Sequence, residues 1–216
     1  QLKESIRGVA DAHRKYRKEL VSLSDKNIRI ALDEWNYWYG DYIYGELGVR
    51  YHHKDALGVA IGLHEFFRNS DIYFMANYAQ TVNVIGCIKT TNTKSGFAAT
   101  GLPLKLYRNH FGTIPVFIDD EYDDLDIVAA LDPSMNKITV SIVNIAQDNK
   151  SISLDFGTTS IRPDGRQWLI HNSDPEAYNV PGEEPNIRIE EADISLTERK
   201  LSIPGYSILV VEAEIE

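Results

Sequence analysis

The chain has 216 residues, room for one large domain or two small ones, and its 43% hydrophobic and 25% charged residues are those of an ordinary globular protein. A formal net charge of −10 argues against a nucleic-acid partner, which selects for a basic face. Cys87 is the single cysteine, which rules out an intrachain disulfide, and no apolar run reaches bilayer length, so no membrane partner is expected.

Leu2, Ile6, Val9, His13, Tyr16 and Leu20 recur at helical spacing, predicting a helix over residues 1 to about 22. The basic run His13 to Lys18 reads as its solvated face. A polar turn at 22–27 leads into a short strand at 28–33, apolar enough to be buried on both faces as parallel barrel strands are. An aromatic, glycine-containing loop follows to about residue 51, then a helix at 55–68, a second buried strand at 72–76 and a third helix at 102–110. This alternation predicts α/β architecture with parallel crossovers. After about residue 112 the character changes to short β-prone runs at 114–118, 126–131, 137–144, 152–156, 167–171, 186–189 and 201–211. Turn chemistry separates them at Asp132-Pro133-Ser134, Gln147-Asp148-Asn149, Pro163-Asp164-Gly165 and Pro181-Gly182. An antiparallel β-sandwich is expected, with strands numerous enough for residues 113–216 to fold alone. The boundary falls near residue 110 without a flexible linker, so 1–110 and 111–216 are expected to pack together as two domains.

The most informative stretch is Ile28 to Tyr39, where a strand-like run ends in Asp33-Glu34 and a cluster of aromatics follows. A carboxylate at a strand end, walled by indole rings, suits sugar chemistry: an ionised acid can attack or stabilise an oxocarbenium-like centre. Asp33-Glu34-Trp35-Asn36 with Tyr37-Trp38 resembles the nucleophile-strand signature of the family 51 α-L-arabinofuranosidases. Tyr51 to Gly62 resembles the helix after that strand, and Ala79 to Ile85 the segment at the end of the last barrel strand. The resemblance implies the last part of a (β/α)8 barrel over 1–110, followed by a jelly-roll-like β-sandwich over 111–216. It implies Glu34 as catalytic nucleophile, Trp38 and Gln80 as substrate-binding residues, and a supporting polar role for Asn36. The bland readings are a structural ion pair of Glu34 with Arg29 nearby, a core indole for Trp38, and a loop amide capping backbone groups for Gln80. Trp35, beside the strand, is the better candidate for a core indole.

A retaining glycosidase needs a second carboxylate roughly 5–5.5 Å from the nucleophile. The family carries it as a Glu after an Asn on an earlier strand, and no such pair occurs here in a matching context; Asp41 and Glu46 sit in the aromatic loop, and Asn77 cannot act as an acid. Gln1 is not an initiator Met, and the first residues read as the middle of a helix, so the missing N-terminal part of the same enzyme is an expected partner. The implied activity is retaining release of terminal α-L-arabinofuranosyl groups from arabinan- or arabinoxylan-type saccharides. L-arabinose-containing saccharides are then the substrate partner, and a homo-oligomer is a further expectation from the family. The chain alone is expected to be inactive. The alternatives are an endo-β-1,4-glucanase of the same family and a non-catalytic carbohydrate- or subunit-binding module. No cofactor or metal is expected: His64-Glu65 lacks the second His of a zinc helix, and His52-His53 has no further ligands. Ser22 and Ser24 have no base, and Asn149-Lys150-Ser151 is a weak glycosylation triplet. The absence of disulfides leans towards a reducing compartment, and the expected location is cytoplasmic.

Overall fold

The apolar spacing at the start of the chain forms a helix at Leu2–Glu19 (α1), which buries Ile6 and Ala10, exposes Lys15 and Lys18 of the basic run and leaves His13, Arg14 and Arg17 half-buried. The computed structural model describes residues 1–40, 48–118, 122 and 124–216; Asp41 and Glu46 lie outside them. After a short 3-10 turn at Val21–Leu23 come strand β1 (Ile30–Trp35), helix α2 (His53–Arg68) and strand β2 (Tyr73–Tyr78), with β1 and β2 paired in parallel. Ile30 and Leu32 of β1, Ile72 just before β2 and Tyr73 at its start pack with Ile6, Ala10 and Phe66 from the two helices.

Two expectations fail here for physical reasons. Both strands were expected to be buried on both faces, but only one side is covered by α1 and α2. Phe74 and Met75 of β2 are exposed, because no other layer of the described chain lies over them. Helix α2 starts two residues earlier than its periodicity indicates. The Asp55 carboxylate accepts the His52 N–H at 2.7 Å, a helix-start signal that the expected boundary hid. The next two N–H groups, of His53 and Lys54, donate to the carbonyls of Ala177 and Pro175, so a distant loop satisfies the orphan donors.

A hairpin of β3 (Ile88–Thr90) and β4 (Ser95–Phe97) precedes helix α3 (Gly101–His110). Too short and polar to show alternation, it has no counterpart among the expected elements. Among the described residues every regular element after α3 is a strand: β5 (Ile114–Val116), β6 (Leu125–Leu131), β7 (Lys137–Asn144), β8 (Lys150–Ser153), β9 (Ile161–His171), β10 (Ile189–Ser195), β11 (Lys200–Ile203) and β12 (Ser207–Ile215). Six form one antiparallel sheet in the order β10-β9-β12-β7-β6-β5, and β11 pairs with β8.

Alternation along the central strands divides that sheet into two buried faces. Val143, Trp168, Ile170, Ile208 and Val210 meet Ala56, Leu57 and Ala60 of α2 and Leu102 and Leu106 of α3. Ile142, Leu209 and Val211 point the other way, onto Ile152, Leu201 and Ile203 of the β8–β11 pair. The first of these cores runs across residue 110, so the two halves of the chain share it.

The strand boundaries carry three corrections. Pro163-Asp164-Gly165, expected as a turn, lies inside β9, where the ladder to β12 shifts register and the Pro163 carbonyl accepts the Leu196 N–H at 2.6 Å. Proline is tolerated at such an irregularity because no ladder donor is required of it. The expected run 201–211 is two strands in two sheets, broken at Pro204-Gly205. The strand expected at 186–189 runs instead from Ile189 to Ser195; its exposed Glu190, Glu191 and Asp193 conceal the pattern and protect the sheet edge that it forms.

Candidate active site

What Glu34 can do depends on how β1 ends. Leu32 pairs with Ala76 of β2 and Trp35 pairs with Tyr78, so β1 takes three steps where β2 takes two. A bulge of this kind breaks the alternation of faces and re-aims side chains. Ile30, Leu32 and Phe66 share the helix-covered core, and Trp35 is brought to the same side, edge-on to Phe66 at 5.0 Å and to Tyr78 at 5.4 Å. Trp35 is buried, and the two acids inside the bulge, Asp33 and Glu34, are left exposed. The strand thus runs two residues beyond its expected end and carries Glu34 within it. Arg29 lies over the Phe74 ring at 5.0 Å rather than pairing with Glu34.

Gln80 follows directly on the exit of β2. The preceding Ala79 N–H donates to the Trp35 carbonyl at 3.1 Å, which joins the two strand exits. The Gln80 backbone carbonyl accepts the Cys87 N–H, while its side chain is exposed and caps nothing among the described residues. Glu34 and Gln80 therefore stand at the same end of neighbouring parallel strands.

Asn36 lies between them. Its amide Nδ2 reaches the Tyr51 hydroxyl at 2.8 Å, the Ala79 carbonyl at 2.8 Å and the Ile85 carbonyl at 2.7 Å, while its Oδ1 accepts the Tyr37 N–H. Tyr51 is 2% exposed, and its hydroxyl lies 2.9 Å from the Tyr37 carbonyl and 3.1 Å from that of Ile85. Sequence reasoning singled out no role for Tyr51; the signal was the polar Asn36 directly after a strand, an amide that needs partners once half-buried.

The aromatics divide by environment. Tyr37 packs against α2 where Gly58 stands, and a Cβ at that position would overlap the phenol. Burial, followed by the nearby Asp55 charge, pushes the Tyr37 hydroxyl up to about 12. The Tyr39 hydroxyl donates to Asp55 at 2.5 Å. Trp38 is 65% exposed and presents apolar surface at the strand exits. Lys89 donates to the Val84 carbonyl at 2.8 Å and lies 5.3 Å from the Tyr51 ring centre; burial pushes its ammonium down to about 8.

A second constellation has triad-like spacing. His64 Nδ1 is 2.7 Å from Asp126, and its Nε2 is 3.0 Å from the Ser141 hydroxyl and 2.5 Å from that of Tyr107. His64 and Ser141 are both 0% exposed, so no substrate reaches the hydroxyl, and Tyr107 already bonds it. Burial lowers His64, which is held neutral, donating to Asp126 and accepting from a hydroxyl. This is a structural lock between α2 and the sheet. Among the described residues no cluster of three or more His, Cys, Asp or Glu is placed to hold a metal, and no helix is long and apolar enough to cross a membrane.

A family model described as the alpha-L-arabinofuranosidase C-terminal domain matches residues 33–207. An intracellular exo-alpha-L-arabinofuranosidase of Bacteroides ovatus is 27% identical over 207 residues, covering 88% of this chain and 40% of the relative. A probable alpha-L-arabinofuranosidase C of Aspergillus clavatus is 33% identical over 147 residues, 59% of this chain and 29% of the relative. Among solved structures, the thermostable family 51 alpha-L-arabinofuranosidase of Thermotoga petrophila RKU-1 matches with a TM-score of 0.81 at 25% identity, covering 99% of this chain and 48% of that one. The chain spans less than half the length of these relatives. With the matched region extending from the bulged strand to the last one, the chain belongs to the alpha-L-arabinofuranosidase C-terminal domain family.

Proposed function

We propose that this chain is part of a retaining family 51 glycoside hydrolase that releases terminal α-L-arabinofuranosyl groups, with Glu34 as its nucleophile. The observation that carries this reading is the pairing of an exposed Glu34 and an exposed Gln80 at the same end of adjacent parallel strands, with Trp38 beyond them. In this reading β1, α2 and β2 belong to the last part of a (β/α)8 barrel spanning 1–110. The sheets of 111–216 form a jelly-roll-like sandwich packed on it. Glu34 attacks the anomeric carbon and forms a glycosyl ester. A second carboxylate, supplied by a part of the enzyme outside these residues, protonates the leaving oxygen and then activates water. Gln80 donates or accepts at the sugar hydroxyls or orients Glu34, and Trp38 offers a flat face to the leaving-group side. The substrates are arabinan- or arabinoxylan-type saccharides, and an intracellular location follows the name of the Bacteroides ovatus relative.

The test is Glu34→Gln in the full-length enzyme, assayed on an arabinofuranosyl aryl glycoside and on β-1,4-glucan. Arabinofuranoside turnover should fall by roughly three orders of magnitude, about 4 kcal/mol in the barrier, with the fold retained. A fall of less than about tenfold would remove Glu34 as nucleophile. Higher activity on the glucan than on the arabinofuranoside would reassign the substrate.

A further inference from the structure

We propose that Asn36 and Tyr51 form a clamp across the strand exits that sets the spacing of Glu34 and Gln80, which makes both positioning residues for the reaction. The inference rests on the reading of Glu34 as nucleophile.

Three separate backbone segments meet at the clamp. Asn36 lies two residues after Glu34 and reaches the Ala79 carbonyl, which is the peptide unit entering Gln80. It also reaches Ile85 on the returning loop and the Tyr51 hydroxyl. Tyr51 closes the ring from outside the strands: its hydroxyl meets the carbonyls of Tyr37 and Ile85, so it holds the chain leaving β1 against the chain returning from β2. Both strand exits are irregular backbone, because the ladder between β1 and β2 ends at Trp35 and Tyr78. Beyond that point the Ala79–Trp35 bond and this clamp join the two exits, and farther along the Val49 N–H donates to the Val84 carbonyl at 3.1 Å.

The chemistry of the two side chains fits the task. A primary amide carries two protons and a carbonyl oxygen in one plane, so Asn36 can bond several backbone groups at once, whereas an aspartate there would face carbonyls with no proton to offer. Tyr51 is buried beside Val49 and Ala98, with a phenol ring rigid enough to hold its hydroxyl at a fixed point. In-line attack tolerates little misplacement, and an error of about 1 Å can cost around a hundredfold in rate.

The experiment uses the full-length enzyme with four substitutions: Asn36→Ala, Tyr51→Phe, Tyr73→Phe and Glu34→Gln. Tyr73→Phe is the control. It removes a buried hydroxyl that bonds the Ile6 carbonyl at the opposite end of β2. Turnover is measured per active site, with sites counted by a fluorinated arabinofuranosyl inactivator, alongside KM and the thermal midpoint. Asn36→Ala and Tyr51→Phe should each lower kcat per titrated site by about tenfold or more while KM stays within about threefold. Tyr73→Phe should lower the midpoint without changing kcat per site. If Asn36→Ala fails to fold, Tyr51→Phe decides, since it keeps the ring and its packing. Wild-type kcat per site in Tyr51→Phe overturns the proposal, and so does an equal loss in Tyr73→Phe. Undiminished turnover in Glu34→Gln would instead overturn the reading on which the proposal rests.

Discussion

Trp38 and Trp35 lie three residues apart and take opposite roles. Trp35 is locked edge-on between Phe66 and Tyr78, whereas Trp38 keeps 65% of its surface in solvent and so adds little burial to the fold. Trp38→Ala should therefore leave the thermal midpoint nearly unchanged. In the full-length enzyme, and under the function proposed above, it should weaken kcat/KM on long or branched arabinosaccharides by about tenfold or more, and on an activated aryl glycoside far less, because leaving-group binding matters least when the leaving group is already good. Equal losses on both substrates would mark Trp38 as a packing residue. The Glu34 motif and the core role of Trp35 were readable from order alone, since a strand-like run ends at two acids and the first aromatic sits beside it. The bulge that exposes both acids was not readable, because it depends on the register with β2, where Leu32 meets Ala76 and Trp35 meets Tyr78. Tyr51 was silent for the same reason: Asn36, Tyr37 and Ile85, which its hydroxyl meets, lie in segments distant in sequence.

Between elements, α2 is fixed at both ends by the later sheet. At its start the carbonyls of Pro175 and Ala177 take its free N–H groups, and Lys54 pairs with Glu176 at 2.6 Å. Towards its end, Asp126 of β6 receives His64, Arg68 and Lys3. Burial alone would raise the Asp126 carboxyl, but the hydrogen bond from His64 and then the Arg68 guanidinium outweigh it and hold the group well below the usual range. Glu65 behaves alike: burial pushes it up, and the bidentate Arg7 contact pulls it down further. Asp126→Asn should cost about 3 kcal/mol in urea unfolding, the lower end for breaking a buried pair, since Arg68 and Lys3 reach solvent. A loss under about 0.5 kcal/mol would show the lock to be ornamental. The pH dependence has a defined sign. Buried His64 and His53 are lowered in the folded state, so the unfolded chain binds more protons below about pH 6.5 and stability falls there as pH drops. Asp126 and Glu65, also lowered, contribute stability that is present above about pH 4 and lost as pH falls further; Asp55, raised by burial, acts in the opposite sense. The unfolding midpoint should decline from pH 7 to 4, and a flat profile would refute the assignment. None of this was legible beforehand. His64-Glu65 looked like half of a zinc site, and its partner Asp126 is separated from it by a change of fold type.

At the scale of the whole molecule, the change from helix-rich to strand-rich sequence near residue 110 is real, but it does not divide the core. The face of the large sheet that carries Val143, Trp168, Ile170, Ile208 and Val210 is covered by α2 and α3, joined by Ile187 and Ala177 of the segment between β9 and β10. Sequence shows that residues 111–216 hold enough strands to make two sheets. It cannot show that one sheet is apolar on both faces and therefore needs two covers, because alternation within a strand looks the same whichever layer receives each side. The β8–β11 pair supplies one cover from within 111–216, whereas the other takes Ala56, Leu57, Ala60, Leu102 and Leu106 from helices outside it and adds Ile187 from within. Residues 111–216 expressed alone should not fold as they do in the chain, contrary to what strand count suggests. Burying a large apolar side chain is worth about 1.5–3 kcal/mol, so re-exposing five of them removes an amount comparable to the whole stability of a domain, about 5–15 kcal/mol. Expressed alone, the segment should keep sheet content in far-ultraviolet circular dichroism, bind a hydrophobic dye, and lack a cooperative thermal transition. Residues 1–216 should unfold cooperatively under the same conditions. A sharp transition in 111–216 within a few degrees of that of the longer chain would mean that the helices contribute little to the sheet they cover, and that the shared core is a contact between two independently stable domains.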